Sequence, residues 1–378
     1  MLSAELIRHE FKNLAPNYFN AAYFGPTPLR AQQAMKDAVD RFASPFNIHY
    51  TDWRPIPDLA REKIAPLLGV SPDSISNHGG TGEMVATVSN GYPFKAGDQV
   101  VVMEGDYPSD VLSWMTNEKR RGYEVVRLSE DCFRDPDLLV RRLPPQTKVM
   151  NITHVMFNTG RRNNLAAIGK LCQERGILFV VDTAQSLGGV ALTPEEVAVC
   201  DVLGGCTYKW LLAPYGHAFG YWSKRALELV ENTHLSWLTS AGSVAGNLLN
   251  YTTESTGGAR KYDRSQAAHF VEMKGALASW DVIREAGLSN IEAHNKALVT
   301  QFLETYPKSK FNMITPVGEH ANILCMRAAS GVDSVSLQTM LTARKIDASI
   351  REGNLRLSFH LYNTPEEVAA LVEALAEL

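Results

Sequence analysis

The chain has 378 residues, 45% of them hydrophobic and 21% charged, with a formal net charge of −4, which allows a large core and about two domains. The mildly acidic balance gives no support for a nucleic-acid partner, there are no repeats or low-complexity tracts, and no apolar stretch approaches the roughly 20 residues that a membrane-spanning helix needs. The five cysteines, Cys132, Cys172, Cys200, Cys206 and Cys325, form neither a CxxC nor a cluster with His, so no metal site is expected; unpaired thiols and an opening, MLSAELIRHEF, without a long apolar core predict a soluble, cytoplasmic protein.

From about Asn77 to Lys224 strand-like runs alternate with helical patterns. SISN leads through Gly79 and Gly80 into a helical stretch, and QVVVME, EVVRL, VMNITHV, ILFVVD, VLGGC and HAFGYW are strand candidates, with a helix between Asn163 and Arg175. That alternation predicts an α/β fold with a mostly parallel sheet. After the polar segment YTTESTGGARKYDRS the pattern changes. Two long helical stretches, AAHFVEMKGALASWDVIREAG and SNIEAHNKALVTQFLETY, precede strands NILCMR and LRLSF and a final helix, which suggests a small C-terminal α+β domain, with a ligand pocket between the two domains.

Three residue groups carry chemistry. Asp182 directly follows the apolar run ILFVV, where ligands collect outside the carboxyl ends of strands in open α/β sheets; its plainer use would be a helix cap. Lys209 lies just past the next strand in GCTYKWLLAPYGHAFGYW, among aromatic and small residues, an unfavourable place for a solvated charge; its plainer use would be to reach water along its stem. The turn GGTGEM presents free N–H groups and a helix N-terminus to an anion, although glycine turns before helices are common for conformational reasons alone. An amine, a carboxylate and a phosphate cradle are what pyridoxal phosphate requires of a protein.

YFNAAYFGPTP, GGTGEM, EGDYPSD, HVMFNTG, DTAQS, TYKWLLAPYG and LRLSFHLYNTPEE, in this order and spacing, resemble the class V aminotransferase group of fold-type-I pyridoxal phosphate enzymes, which contains cysteine desulfurases, selenocysteine lyases, kynureninases and isopenicillin N epimerase-like proteins. The resemblance implies a mostly parallel central sheet with HAFGYW running against it, a large cofactor-binding domain (18–262), a small C-terminal domain (263–378), and an N-terminal segment (1–17) packed with the latter. It implies that Lys209 forms the Schiff base, Asp182 pairs with the pyridinium, Gln185 touches the phenolic oxygen and Tyr107 stacks on the ring. Thr81, Gly82 and Tyr208 match phosphate contacts. Arg356 matches the clamp on the substrate carboxylate, a task suited to a planar guanidinium, and Asn20 lies in the segment that lines the substrate site. It further implies a homodimer with shared sites, Tyr251 to Gln266 being the candidate crossing segment.

The chain also departs from the pattern. Phe157 replaces the asparagine of desulfurases, leaving Asn158 or a water to contact the cofactor; Ser265 and Gln266 stand where a Gly-Thr pair reaches the neighbour's phosphate; and ARKIDASIREGN lacks the nucleophilic cysteine of desulfurases. Cys325, within NILCM, reads as a small buried hydrophobe. His49, Trp53, Asn20, His217 and His269 are further candidates for the substrate pocket. The expected activity is transamination or β-elimination (C–S lyase type) at the α-carbon of a small amino acid. The alternatives are a desulfurase or selenocysteine lyase, an epimerase, and a non-catalytic cofactor-binding regulator, which would need a DNA-binding extension.

Overall fold

The computed structural model describes residues 2–249, 251–266, 269–329 and 332–377. Its large sheet contains β1 (Ile75–His78), β2 (Gln99–Met103), β3 (Glu124–Leu128), β4 (Thr147–Thr153), β5 (Leu178–Asp182), β6 (Val202–Cys206) and β7 (Ala218–Trp222), in the order β1-β7-β6-β5-β4-β2-β3. β2 to β6 pair in parallel, whereas β7 runs antiparallel to both β6 and β1, as expected for HAFGYW. Every residue of β5 is buried. Val100, Val102, Val149, Val180 and Val202 face one side of the sheet with Trp114 and Trp222, and Val101, Met150, Phe179, Val181 and Leu203 face the other. Covered on both faces, such strands carry continuous apolar runs rather than alternation.

A second, antiparallel sheet follows: β8 (Phe311–Met313), β9 (Ile323–Ala328), β10 (Ser349–Arg351) and β11 (Asn354–Ser358), in the order β10-β11-β9-β8. Helices Phe270–Ala286 and Leu288–Thr305 precede it, separated by Gly287 at φ 80°. The first packs on helix Leu29–Phe42. The segment from Tyr18 joins this second sheet: Tyr18 bridges to Asp347 and Asn20 to Ser358, while Phe19 sits in the core beneath Leu355 and Leu357. No described helix is long and apolar enough to cross a membrane.

Two glycines set how closely the layers approach the end of β5. A side chain at Gly204 would meet the carbonyl of Phe219 and the sulfur of Met84, and one at Gly205 would meet the backbone of Ala184 and the carboxylate of Asp182. VLGGC therefore lets helix Thr81–Gly91 and Asp182 converge across the sheet.

A buried ion pair locks the outer edge. Arg61, on helix Ile56–Leu68, donates through Nη2 to Asp263 and through Nε to the Ile75 carbonyl at 2.9 Å, while Asp263 also accepts the Asn77 amide at 2.8 Å. Burial pushes the Asp263 carboxyl up, and Arg61 opposes that shift. Removing one partner leaves an uncompensated buried charge, so Arg61→Ala is expected to destabilise the fold by about 3–5 kcal/mol, read as a lower midpoint in denaturant unfolding.

Candidate functional site

Asp182 ends β5 nearly fully buried. Its Oδ1 accepts the Ala184 amide at 2.7 Å. Burial raises its carboxyl above the ordinary range, while that amide and the Lys209 charge oppose the rise. Lys209 reaches toward it from the loop between β6 and β7. The backbone there turns sharply, with Leu212 at φ 57°, and the first residue of GPTP, Gly25, lies so close to the Lys209 carbonyl that no side chain could be accommodated. The amine is 7% exposed, and among the described residues it has no hydrogen-bond or ion-pair partner. Its Nζ lies 5.5 Å from the Tyr107 ring centroid and 5.6 Å from that of Tyr208. A buried lysine without an anion is costly, and this one faces a cavity.

Two cavities, of about 150 and 480 Å3, share Tyr107, Phe157, Gln185, Tyr208, Lys209 and Tyr215 as wall residues. The smaller is closed by Gly79 to Gly82, Ser109 and Asp182. At its end the amides of Gly80, Thr81 and Gly82, at the start of helix Thr81–Gly91, have no acceptor among the described residues, while Thr81 Oγ1 accepts the Cys206 amide at 3.0 Å. The helix-start amides, a carboxylate and an amine without a hydrogen-bond partner among the described residues therefore line one cavity. These donors fit pyridoxal phosphate, with Lys209 to hold the aldehyde, Asp182 the ring nitrogen and the helix N-terminus the phosphate.

The larger cavity ends at Arg351 and Arg356. Arg356 is 3% exposed; Nη1 donates to the Phe157 carbonyl at 3.1 Å and Nη2 to Ser349 at 3.2 Å, and Nε is buried without a partner. Among the described residues no carboxylate pairs with it. Desolvation, with Arg351 adding repulsion, lowers its pKa to about 10. Gln185 lines both cavities, but its amide is already engaged, donating to the Ala22 carbonyl and accepting from Trp210.

Several expected residues lie elsewhere. Asn158 donates to the Gly105 carbonyl at 3.3 Å and lines neither cavity, so Phe157 itself forms that wall, its ring edge-on to Tyr107 at 5.3 Å. Asn20 is committed to Asp347 and to Ser349 and lines neither cavity; through Ser349 it braces Arg356. Gln266 is exposed and outside both cavities of this chain, and the adjacent Ser265 bonds to His234 at 2.7 Å. His217 is held between Thr207 and Asn77, and it, His49, Trp53 and His269 line neither cavity. Conversely, Ser109, Cys206, Tyr215, Phe24 and Arg351 line the cavities without having been singled out. For Arg351 a signal existed: Glu-Gly between SIR and NLR is a hairpin turn, which would have placed Arg351 beside Arg356.

A parallel-sheet α/β fold with an unpaired lysine, a strand-end aspartate and a phosphate cradle is that of a fold-type-I pyridoxal phosphate enzyme. The Aminotransferase class-V family profile matches residues 52–371, and the chain belongs to this family of cofactor-dependent enzymes. It is 25% identical to a probable cysteine desulfurase of Methanothermobacter thermautotrophicus, covering 96% of this chain and 94% of that protein, and 27% identical to isopenicillin N epimerase of Streptomyces clavuligerus, covering 86% of each. In fold it is similar to a cysteine desulfurase from Thermococcus onnurineus NA1 (TM-score 0.86, 21% identity, 100% and 99% of the two chains) and to a cystine C-S lyase solved with its product cysteine persulfide (0.85, 19%, 97% and 99%).

Borohydride reduction of the cofactor-loaded protein is expected to tag the tryptic peptide that contains Lys209. Peptide mapping should find no tag there in Lys209→Ala.

Proposed function

We propose that this enzyme cleaves a C–S bond by β-elimination from a sulfur-containing amino acid, without passing sulfur to a thiol of its own. The observation that carries this reading is the tip of the β10–β11 hairpin. Where desulfurases are expected to hold a cysteine-bearing loop, Glu352 and Gly353, at φ 49° and 76°, close a two-residue turn, the left-handed pair of a type I′ hairpin. Among the described residues Cys206 is the one cysteine lining either cavity, at the phosphate end, and burial pushes its thiol up rather than toward thiolate. A persulfide-forming nucleophile needs the opposite environment.

The chain's own groups supply the remaining steps. Arg356 receives the substrate α-carboxylate and fixes the orientation of the α-carbon. Lys209 would hold the aldehyde of the cofactor and, as a free amine, would take the α-proton of the bound amino acid. Asp182 would keep a proton on the ring nitrogen, Tyr107 would cover the ring face, and the amides of Gly80 to Gly82 would hold the phosphate. When bound, pyridoxal phosphate supplies the electron sink for the pair left at the α-carbon. Departure of sulfur from the β-carbon with its bonding pair then gives pyruvate, ammonia and a thiol or persulfide after hydrolysis.

The larger cavity exceeds what cysteine needs, its walls are rich in aromatic rings, and Arg351 stands over the Tyr23 ring at 5.6 Å with no ion-pair partner among the described residues. These features favour an S-substituted cysteine with a distal carboxylate, such as cystine. The likeness to a probable cysteine desulfurase and to a cystine C-S lyase supports C–S chemistry, while the likeness to isopenicillin N epimerase does not bear on it. Homodimerisation is part of the proposal: Phe46, Leu249 and Tyr251 are 87%, 77% and 86% exposed, apolar side chains that a second copy would cover.

Incubation with cystine and with cysteine, followed by product assay, decides the reaction. Pyruvate with persulfide or sulfide is expected. Alanine with a protein-bound persulfide would establish desulfuration, and conversion of the cofactor to pyridoxamine phosphate would establish transamination. Arg356→Lys is expected to lower kcat/KM by roughly a hundredfold through loss of a charge-assisted bidentate contact. Arg351→Met should raise KM for cystine far more than for cysteine.

A further inference from the structure

Behind Asp182 lie two more buried carboxyls that the mechanism above does not use. Asp110, in the first turn of helix Pro108–Arg121, is fully buried, and Asp106 precedes that helix at 7% exposure. Asp110 and Asp182 lie close enough for a side-chain hydrogen bond once one of them carries a proton, and Asp106 acts on both electrostatically. The nearby cation is Lys209. Three ionised carboxylates so placed would repel one another in a medium where even one buried ion costs several kcal/mol.

The hydrogen bonds identify where a proton sits. Trp114 Nε1 can only donate, and it donates to Asn151 Oδ1 at 2.9 Å. This fixes the Asn151 amide, so that its Nδ2 is the donor to Asp110 Oδ1 at 3.1 Å. Asp110 Oδ1 is thereby an acceptor, whereas Asp110 Oδ2 is buried and meets no donor among the described residues. As an ionised group Asp110 would leave that acceptor empty, a penalty of about 1–3 kcal/mol or more. As a neutral acid it has a hydrogen to offer, and Asp182 is in position to accept it. Asp106 differs in satisfying both oxygens, accepting the Tyr107 amide at 2.7 Å and the Thr153 amide at 2.9 Å.

We propose that Asp110 is a positioning residue that stays protonated at neutral pH and donates its hydrogen to Asp182, leaving Asp182 as the anion aimed at the ring nitrogen of the cofactor. The inference rests on the assignment of Asp182 to that nitrogen. The direction of titration agrees: desolvation, then repulsion from Asp182 and Asp106, holds the Asp110 carboxyl well above the ordinary range, and Asp106 is pushed up to about 7, desolvation again being the main cause. The groups facing Asp110 are Asp182 on β5, Asn151 on β4 and Asp106, with Lys209 acting through Asp182. For an acid raised in the folded state, stability is full below the unfolded value and declines as pH rises through the folded one.

Asp110→Asn is the decisive variant, because its amide can accept from Asn151 and donate to Asp182 as the neutral acid does. Asp110→Leu removes both bonds. Infrared spectra of the cofactor-free full-length protein, taken above the Asp106 titration, are expected to show the carbonyl band of a protonated carboxyl in the wild type and to lack it in Asp110→Asn. In the loaded enzyme Asp110→Asn should keep the wild-type pH dependence of the cofactor's visible band and nearly full kcat/KM. Asp110→Leu should shift that pH dependence and lose roughly ten- to a hundredfold in kcat/KM. A wild-type spectrum without the band, or an unchanged band in Asp110→Asn, would overturn the proposal. So would a loss in Asp110→Asn as large as in Asp110→Leu. The infrared measurement needs no substrate, so it fails or succeeds independently of the C–S lyase reading.

Discussion

Among the described residues neither Lys209 nor Arg356 forms an ion pair although both are buried, and the rest of the site is organised around that imbalance. Desolvating a charge without pairing it is among the most expensive things a fold can do. The cost is softened in part: two tyrosine faces lie near the amine, and the Phe157 carbonyl and the Ser349 hydroxyl accept from the guanidinium. What is missing in each case is what a ligand brings. On the proposed reading, an aldehyde would convert the amine into a covalent partner, and an α-carboxylate would complete the guanidinium. Cofactor and substrate would then bind with energy the empty fold cannot recover, and binding would raise the stability of the loaded protein by mass action.

The architecture that places these charges was largely readable from residues. ILFVVD announced β5 because a strand covered on both faces is an unbroken apolar run, and the polar residue ending that run was the one left at the ligand-binding edge. Lys209 stood out because its neighbours could not solvate it. The three-residue strands β8 and β10 escaped notice, since so short a stretch carries almost no periodicity. Side-chain direction escaped for a different reason. Asn158 and Phe157 are adjacent, and which of them faces the cavity depends on how HVMFNTG turns after β4. Asn20 sits in a segment lining the site, yet its amide is drawn to Asp347 and Ser349, long-range partners that no local pattern reveals. Asp110 was hidden similarly, as an ordinary helix-start acid that becomes unusual only when folding sets it against Asp182.

The β10–β11 hairpin shows how a short connection can define a specificity. In its register Ser349 opposes Arg356 and Arg351 opposes Asn354, and since side chains two apart share a face of the pleat, Ser349, Arg351, Asn354 and Arg356 project to one side. Arg351 and Arg356 are consequently held by the same ladder, toward the same cavity, close enough for one to depress the pKa of the other. A long mobile loop at this tip would leave their relation free. The two-residue turn fixes it, and on the proposed reading a pair of guanidiniums in fixed relation would select a substrate by the spacing of its two carboxylates, one at the reacting carbon and one beyond the sulfur. On the same reading, a turn too short to carry a thiol also holds a second guanidinium in place, so that absence of sulfur transfer and preference for a disulfide-linked or S-substituted dicarboxylic substrate would follow from one backbone feature.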